Sequence, residues 1–258
     1  MDLDLTGKRA LVCGSSQGMG RAIAEELARC GARVTLFARS EERLLDVLSG
    51  LQGEGHDHLV ADFNSLPDVV DSVRRGLSVG NYHILVNNTG GPAPGALADA
   101  GIEQFEEAIS RHLHVSHKLT QEVLPGMREA NYGRIVNIIS TSVKIPIPNL
   151  GVSNTVRGAM ASWAKTLASE LGEYGITVNN ILPGFINTAR IDSLIAGKSK
   201  STGKSLQAVR EEMEQSIPAK RFGEPGEIAD YAVFLCSPSG AYINGTSLRL
   251  DGGRTGSI

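Results

Sequence analysis

Short apolar runs recur along the chain, each followed by a longer stretch in which apolar residues return every three or four positions. Residues 10–14 are small and apolar and end in Gly14, and residues 19–30 then carry Ile23, Leu27 and several alanines at helical spacing until Gly31. The strand-like look returns at 34–37, 84–87, 134–139, 176–182 and 246–250, with a weaker instance at 58–61. Between these runs, residues 41–51, 66–77, 102–127, 152–171 and 227–236 are long enough and suitably patterned for helices. Seven apolar strands separated by helices predict an α/β fold, a parallel sheet covered on both faces and joined by right-handed crossovers. No internal repeat or linker divides the chain, so residues 1–258 read as one domain.

One stretch breaks the rhythm. Residues 189–220 are polar, helix-prone and basic in their middle, and read as a lid inserted between the sixth and seventh strands. Within it, Gly197 to Ser205 looks like a phosphate-binding P-loop, but five residues rather than four separate its glycines and no strand precedes it. A mobile, solvated loop is the expectation there.

Composition narrows the function. Apolar residues make up 41% and charged residues 21% of the 258 positions, which suits one compact core and not a disordered chain. A net charge of −3 and a pI near 6.1 argue against a nucleic-acid partner, which calls for a basic face and a pI above about 9. The first residues form no export signal, and no run approaches the roughly 18 apolar residues of a membrane span, so a cytoplasmic protein without a membrane partner is expected. Cys13, Cys30 and Cys236 are odd in number and far apart, as reduced thiols would be.

The glycines cluster where chemistry is expected. Gly14-Ser15-Ser16-Gln17-Gly18-Met19-Gly20 ends the first strand and opens the first helix. Glycine there lets the backbone approach a pyrophosphate, and the helix N-terminus offers free N–H groups and partial positive charge to an anion. This G-x₃-G-x-G spacing resembles the short-chain dehydrogenase/reductase family, and the likeness covers nearly the whole chain. Asn87-Asn88-Thr89-Gly90 is similar to the family's N-N-A-G element, with Thr89 in place of alanine. Pro183-Gly184 followed by Thr188 resembles the segment that holds the nicotinamide, and Asp62, with Phe63 beside it, matches the position that contacts the adenine. The residues from Arg221-Phe222-Gly223 to Asp251-Gly252-Gly253 resemble the family's ending. The resemblance implies a single-domain Rossmann fold with strand order 3-2-1-4-5-6-7, a small carbonyl or alcohol substrate, and a homotetramer built on the helices at 102–127 and 152–171. Trp163 belongs to that interface or to the core.

Cofactor choice turns on the end of the second strand, where an acid binds the ribose hydroxyls of NAD and an arginine accepts the 2′-phosphate of NADP. The chain has Ala38-Arg39-Ser40, so Arg39 favours NADP(H) over NAD(H).

The resemblance also implies a catalytic serine, tyrosine, lysine and asparagine. Ser140 holds the serine position, but Ser153 stands for the tyrosine, Arg157 for the lysine and His112 for the asparagine. Within the family the chain resembles the 3-oxoacyl-acyl-carrier-protein reductase branch, in members carrying S-N-x-x-R, here Ser153-Asn154-Thr155-Val156-Arg157. Residues at i and i+4 share a helix face, so Ser153 and Arg157 point together. A serine hydroxyl is far too weak an acid to replace tyrosine, and Arg157 serves instead as a ribose ligand or fixed charge beside an alkoxide. His112 is the nearby group expected to titrate near neutrality, unless it is a structural residue of its helix. Spacings of two and three do not bring His112, His114 and His117 onto one face, so no metal site is expected. Two readings follow: a reductase in which Ser140 and Ser153 bond the carbonyl oxygen, Arg157 stabilises its charge and His112 or water delivers the proton; or an NADP-binding sensor or inactive partner subunit without turnover.

Overall fold

A computed structural model describes residues 1–257. Among the described residues, seven strands form one parallel sheet in the order β3-β2-β1-β4-β5-β6-β7. They are β1 (Arg9–Cys13), β2 (Arg33–Ala38), β3 (Asp57–Val60), β4 (Ile84–Asn87), β5 (Gly133–Ile138), β6 (Ile176–Pro183) and β7 (Ser247–Leu250). The helices are α1 (Gly18–Arg29), α2 (Glu41–Gly50), α3 (Leu66–Leu77), α4 (Ile102–Ile109), α5 (Val115–Glu129), α6 (Gly151–Leu171), α7 (Ala189–Thr202), α8 (Leu206–Gln215) and α9 (Pro225–Cys236).

Period-two alternation on the strands builds two separate cores. Ala10, Val12, Val34, Leu36, Ile84, Val86, Val136 and Ile138 face α1, α2 and α9, where Ile23, Leu27, Leu44, Ile228 and Val233 meet them. Leu11, Cys13, Phe37, Leu85, Ile135 and Val178 face α3, α5 and α6, against Val69, Val73, Leu119, Val123 and Ala164. Because both faces are covered, most residues of the central strands are apolar, which is why they read as apolar runs in the sequence. Half-buried Trp163 of α6 packs between the second core and the Ile139–Met160–Leu182 cluster and bonds His117 of α5 through its indole N–H, 3.3 Å.

Polar side chains also cross the sheet. Asn87 donates to Asn137 (2.8 Å), Asn137 to Asn180 (2.9 Å) and Asn180 to the Ser247 hydroxyl (3.0 Å), each pair sitting in register on adjacent strands. A one-residue slip would leave these buried amides unpaired, so the ladder fixes the alignment of β4 to β7.

The stretch at 189–220 forms α7 and α8, packed on each other through Ile191, Ile195, Val209 and Met213. The segment expected as a mobile loop is corrected: residues 197–202 are the last turns of α7, which ends at Gly203 with φ +72°. Lys198 of α7 and Lys204 of the turn between the helices both bond Glu212 of α8, at 2.8 and 2.6 Å, so these two lysines are held against α8.

Between α4 and α5 the helix widens into one π-helical turn, Ser110–His114. Such turns accommodate an extra residue and concentrate at functional sites. This one carries His112 inward.

Candidate active site

A cleft of about 760 Å³ runs along the carboxyl ends of the central strands, inside the range of roughly 300–1,000 Å³ usual for small-molecule sites. Its position outside the strand ends, where the strand order reverses between neighbouring β1 and β4, is where open α/β sheets hold ligands.

The β1–α1 turn forms its floor. Gly14 and Gly18 have φ of +61° and +58°, a region that disfavours a side chain. A Cβ on Gly14 would lie 2.5 Å from the Asn88 carbonyl oxygen, and one on Gly20 would lie 2.3 Å from that of Gly14. Asn88 causes this closeness, since its amide donates to the carbonyls of Cys13 and Gly14, both at 3.3 Å, and draws the end of β4 over the turn. No side chain caps the N-terminus of α1 and no acid stands in its first turn, so its free N–H groups and dipole are left for an anion.

Ser16, Gln17, Gly18, Met19, Arg39, Asp62, Phe63, Asn88, Gly90, Pro183, Gly184 and Thr188 all line the cleft, as do Ser140, Ser153 and Arg157. Arg39 stands exposed at the end of β2 and makes no ion pair with any described residue. Phe63 is set by an edge-on contact with Phe37, 5.0 Å between centroids. Gly184 is required by contact, because a Cβ there would meet Asp251 at 2.7 Å.

Two expected cofactor residues serve the fold behind the cleft. Ser15 is fully buried, and its hydroxyl accepts the Phe37 N–H at 2.9 Å, tying the turn to β2. Gly20 is packed beneath the Gly14 carbonyl.

At the other end of the cleft, Ser140 lies two residues past the end of β5 and caps the short helical turn Thr141–Val143. Its Oγ accepts the Ser142 N–H at 3.1 Å, which leaves the hydroxyl hydrogen free to donate into the cleft. Ser153 and Arg157 lie one turn apart near the start of α6, as the i, i+4 spacing requires. Arg157 is only 7% exposed, and its single hydrogen bond among the described residues runs to the Ile138 carbonyl at 3.1 Å. Burial, then the charge of Arg190, pulls its pKa down to about 10, so it stays charged at neutral pH.

The expectation for His112 is corrected. Its side chain is 1% exposed and lies outside the cleft lining, bonded through Nδ1 to the Thr89 hydroxyl. Burial first, then the charges of Arg157 and Arg111, drives its pKa down to about 2. A neutral imidazole at every physiological pH is not an acid poised near neutrality. Thr89 and His112, both departures from the family pattern, are thus partners of each other.

Several contributors escaped the sequence. Asn154 clamps the β5–α6 loop by accepting the Ile147 N–H (3.3 Å) and donating to the Ile147 carbonyl (2.9 Å), holding Ile147 and Leu150 on the cleft wall. Arg111, Arg190 and Arg254 also line the cleft. Solitary arginines in unrelated segments carry no periodic or spacing signal.

A dinucleotide-sized cleft over a glycine turn, on a sheet of this order, defines a nucleotide-binding oxidoreductase fold. Residues 14–255 match the family model described as enoyl-(acyl carrier protein) reductase. The chain is 33% identical over 255 residues to a 3-oxoacyl-[acyl-carrier-protein] reductase of Vibrio harveyi, covering 97% of this chain and 98% of that one. Its fold matches L-sorbose reductase from Gluconobacter frateurii, solved with NADPH and L-sorbose, with a TM-score of 0.92, 30% identity and full coverage of both chains. It likewise matches an actinorhodin polyketide ketoreductase variant solved with NADPH, with a TM-score of 0.90, 30% identity, and 97% and 98% coverage. The chain belongs to the short-chain dehydrogenase/reductase family of oxidoreductases.

Proposed function

We propose that the protein is an NADP(H)-dependent reductase of a small carbonyl substrate, or the reverse alcohol dehydrogenase, working without a tyrosine acid. The observation that carries this reading is one continuous cleft from Arg39, across the glycine turn, to Ser140, Ser153 and Arg157. Arg39 pairs with the 2′-phosphate, Asp62 and Phe63 border the adenine, and the turn from Gly14 to Gly20 cradles the diphosphate. Asn88, Gly90, Pro183, Gly184 and Thr188 flank the nicotinamide half, and Arg157 reaches its ribose.

When bound, the nicotinamide supplies the hydride. The chain's own residues position the carbonyl and manage its charge. Ser140 and Ser153 donate hydrogen bonds to the carbonyl oxygen, and the Arg157 guanidinium stabilises the alkoxide as it forms. Water delivers the proton, because no tyrosine or histidine lines the cleft among the described residues and His112 is held neutral. Losing a general acid costs roughly 10²- to 10⁴-fold, whereas orienting donor and acceptor contributes about 7–11 kcal/mol, so positioning outweighs the loss. The helices α7 and α8 act as the lid, with Arg190, Ser193 and Leu194 on its inner side. The family likeness adds a cytoplasmic homotetramer joined through α4, α5 and α6.

The missing acid also supports a second reading, an NADP-binding sensor or inactive partner subunit. Turnover separates the two. NADPH oxidation with a panel of 3-oxoacyl thioesters, ketones and quinones, falling about 10²- to 10³-fold in Arg157→Ala, supports the enzyme. NADPH binding without turnover across the panel supports the sensor. In calorimetric titration, Arg39→Asp weakens NADPH by about tenfold or more and NADH far less, the loss of a charge-assisted bond; equal losses refute the 2′-phosphate assignment.

A further inference from the structure

The cleft carries more positive charge than the dinucleotide positions account for. Five arginines line it, against Asp62 as the one carboxylate among the described lining residues. Arg39 lies at the ribose end, and Arg111 is already engaged by Glu107 and Asn64. Arg157 meets the ribose, which carries no charge to offset it, and Arg190 and Arg254 have no cofactor group assigned to them; none of the three pairs with a carboxylate among the described residues.

Arg157 is placed where a cation is costly, Arg190 is exposed at a helix end that disfavours one, and Arg254 is restrained. Arg157 is more than nine-tenths buried with one backbone carbonyl as partner, and buried charges are ordinarily paired. Arg190 stands in the first turn of α7, the helix end whose dipole disfavours a positive charge. Arg254 is stacked over the Phe185 ring, 4.1 Å from its centroid, which holds the guanidinium over the cleft. The acids close to them in sequence are committed elsewhere. Asp192 pairs with Arg210 at 3.7 Å, and the two oxygens of Asp251 accept the N–H groups of Gly253 (3.0 Å) and Thr255 (2.9 Å). Residues that break local electrostatic rules without a protein partner mark where a ligand supplies the compensation.

We propose that this end of the cleft selects carbonyl substrates bearing an oxyanion, a carboxylate or a phosphate, bound by Arg190 and Arg254 while the carbonyl oxygen lies against Ser140, Ser153 and Arg157. Ile147, Leu150 and Leu194 supply apolar wall around the substrate's carbon skeleton. The inference rests on the reductase reading for the carbonyl end, and the charge of the distant group is its own content.

The test is calorimetric titration of the NADP⁺-loaded protein, in which the oxidised cofactor prevents reduction, with two matched pairs. These are acetoacetate against methyl acetoacetate, and dihydroxyacetone phosphate against dihydroxyacetone. The expected result is that the anionic member of at least one pair binds about tenfold or more tightly, the worth of one charge-assisted contact. Which pair responds identifies carboxylate or phosphate. Arg254→Ala and Arg190→Ala each shrink that preference toward unity while leaving NADP⁺ affinity within about threefold. Neutral partners binding as tightly in both pairs would overturn the proposal, as would variants that weaken NADP⁺ as much as the anion, which would assign the arginines to the cofactor. Failure of the unsubstituted protein to bind NADP⁺ would instead sink the dinucleotide reading, and the same anion pairs titrated into the cofactor-free protein would still decide this one.

Discussion

Acidification should destabilise this protein through His112 before most carboxylates titrate. In the unfolded chain its imidazole has the ordinary pKa of about 6.5. In the folded protein burial and the neighbouring Arg157 and Arg111 hold it down to about 2. Since the folded value is the lower one, this contribution to stability is complete above the unfolded pKa and is lost progressively as pH falls from about 6.5 toward 2. Proton linkage sets the size at roughly 1 kcal/mol near pH 5.5 and roughly 2–3 kcal/mol near pH 4.5. For a domain of this length 1 kcal/mol corresponds to about 2–4 °C in melting temperature. His83 is shifted the same way, by burial and then by Lys8 and Arg9, so the total profile mixes two histidines. The informative quantity is therefore the difference between the wild type and His112→Asn, which removes the titrating ring and keeps a hydrogen-bonding group for Thr89. Urea unfolding of both proteins between about pH 7.5 and 5 should show the wild type losing the extra stability and the variant lacking that part of the slope. Parallel profiles would refute the buried neutral imidazole, and with it the exclusion of His112 as the proton source.

Other substitutions test the rest of the site. Gly20→Ala sets helix propensity, which favours alanine by about 1 kcal/mol, against a Cβ placed 2.3 Å from a backbone oxygen. The clash should win, lowering stability by about 1–3 kcal/mol and weakening NADPH binding; a more stable variant in thermal melts would show that the turn is looser than described. Asn137→Ala leaves the Asn87 donor and the Asn180 acceptor without partners inside the sheet, so chemical denaturation should show a loss of about 2 kcal/mol or more. An effect below about 0.5 kcal/mol would mean that water repairs the ladder. If a reductase activity is found, kcat/KM should show no ionisation near pH 6.5 that disappears in His112→Asn; such a limb would make the histidine the acid after all.

Most of the fold was legible because its determinants are local. Both faces of the sheet are covered, so β1, β4 and β5 had to be mainly apolar, with Asn87 and Asn137 as paired exceptions, and glycines had to stand where Asn88 approaches the β1–α1 turn. The helix at 66–77 agrees with α3 residue for residue. The expectation of a mobile loop at 197–205 failed, since residues 197–202 continue α7 and Glu212 of α8 holds Lys198 and Lys204. His112 misled about chemistry for a related reason. A histidine's pKa is a property of its surroundings, and nothing in Ser110-Arg111-His112-Leu113-His114 announces that a π-helical turn buries the ring beside Arg157.

The sequence by itself determined the alternating α/β order, the glycine turn, the serine and arginine one helical turn apart on α6, and the arginine at the end of β2. Each depends on residues within a few positions of one another, where backbone geometry converts spacing directly into placement. Only the tertiary structure decided that Ser15 and Gly20 support the cleft from behind, that Thr89 and His112 satisfy each other, and that Arg157, Arg190 and Arg254 line the cleft without a carboxylate partner among the described residues. Desolvation and charge pairing act through space between segments remote along the chain, so they come into existence only when the fold closes.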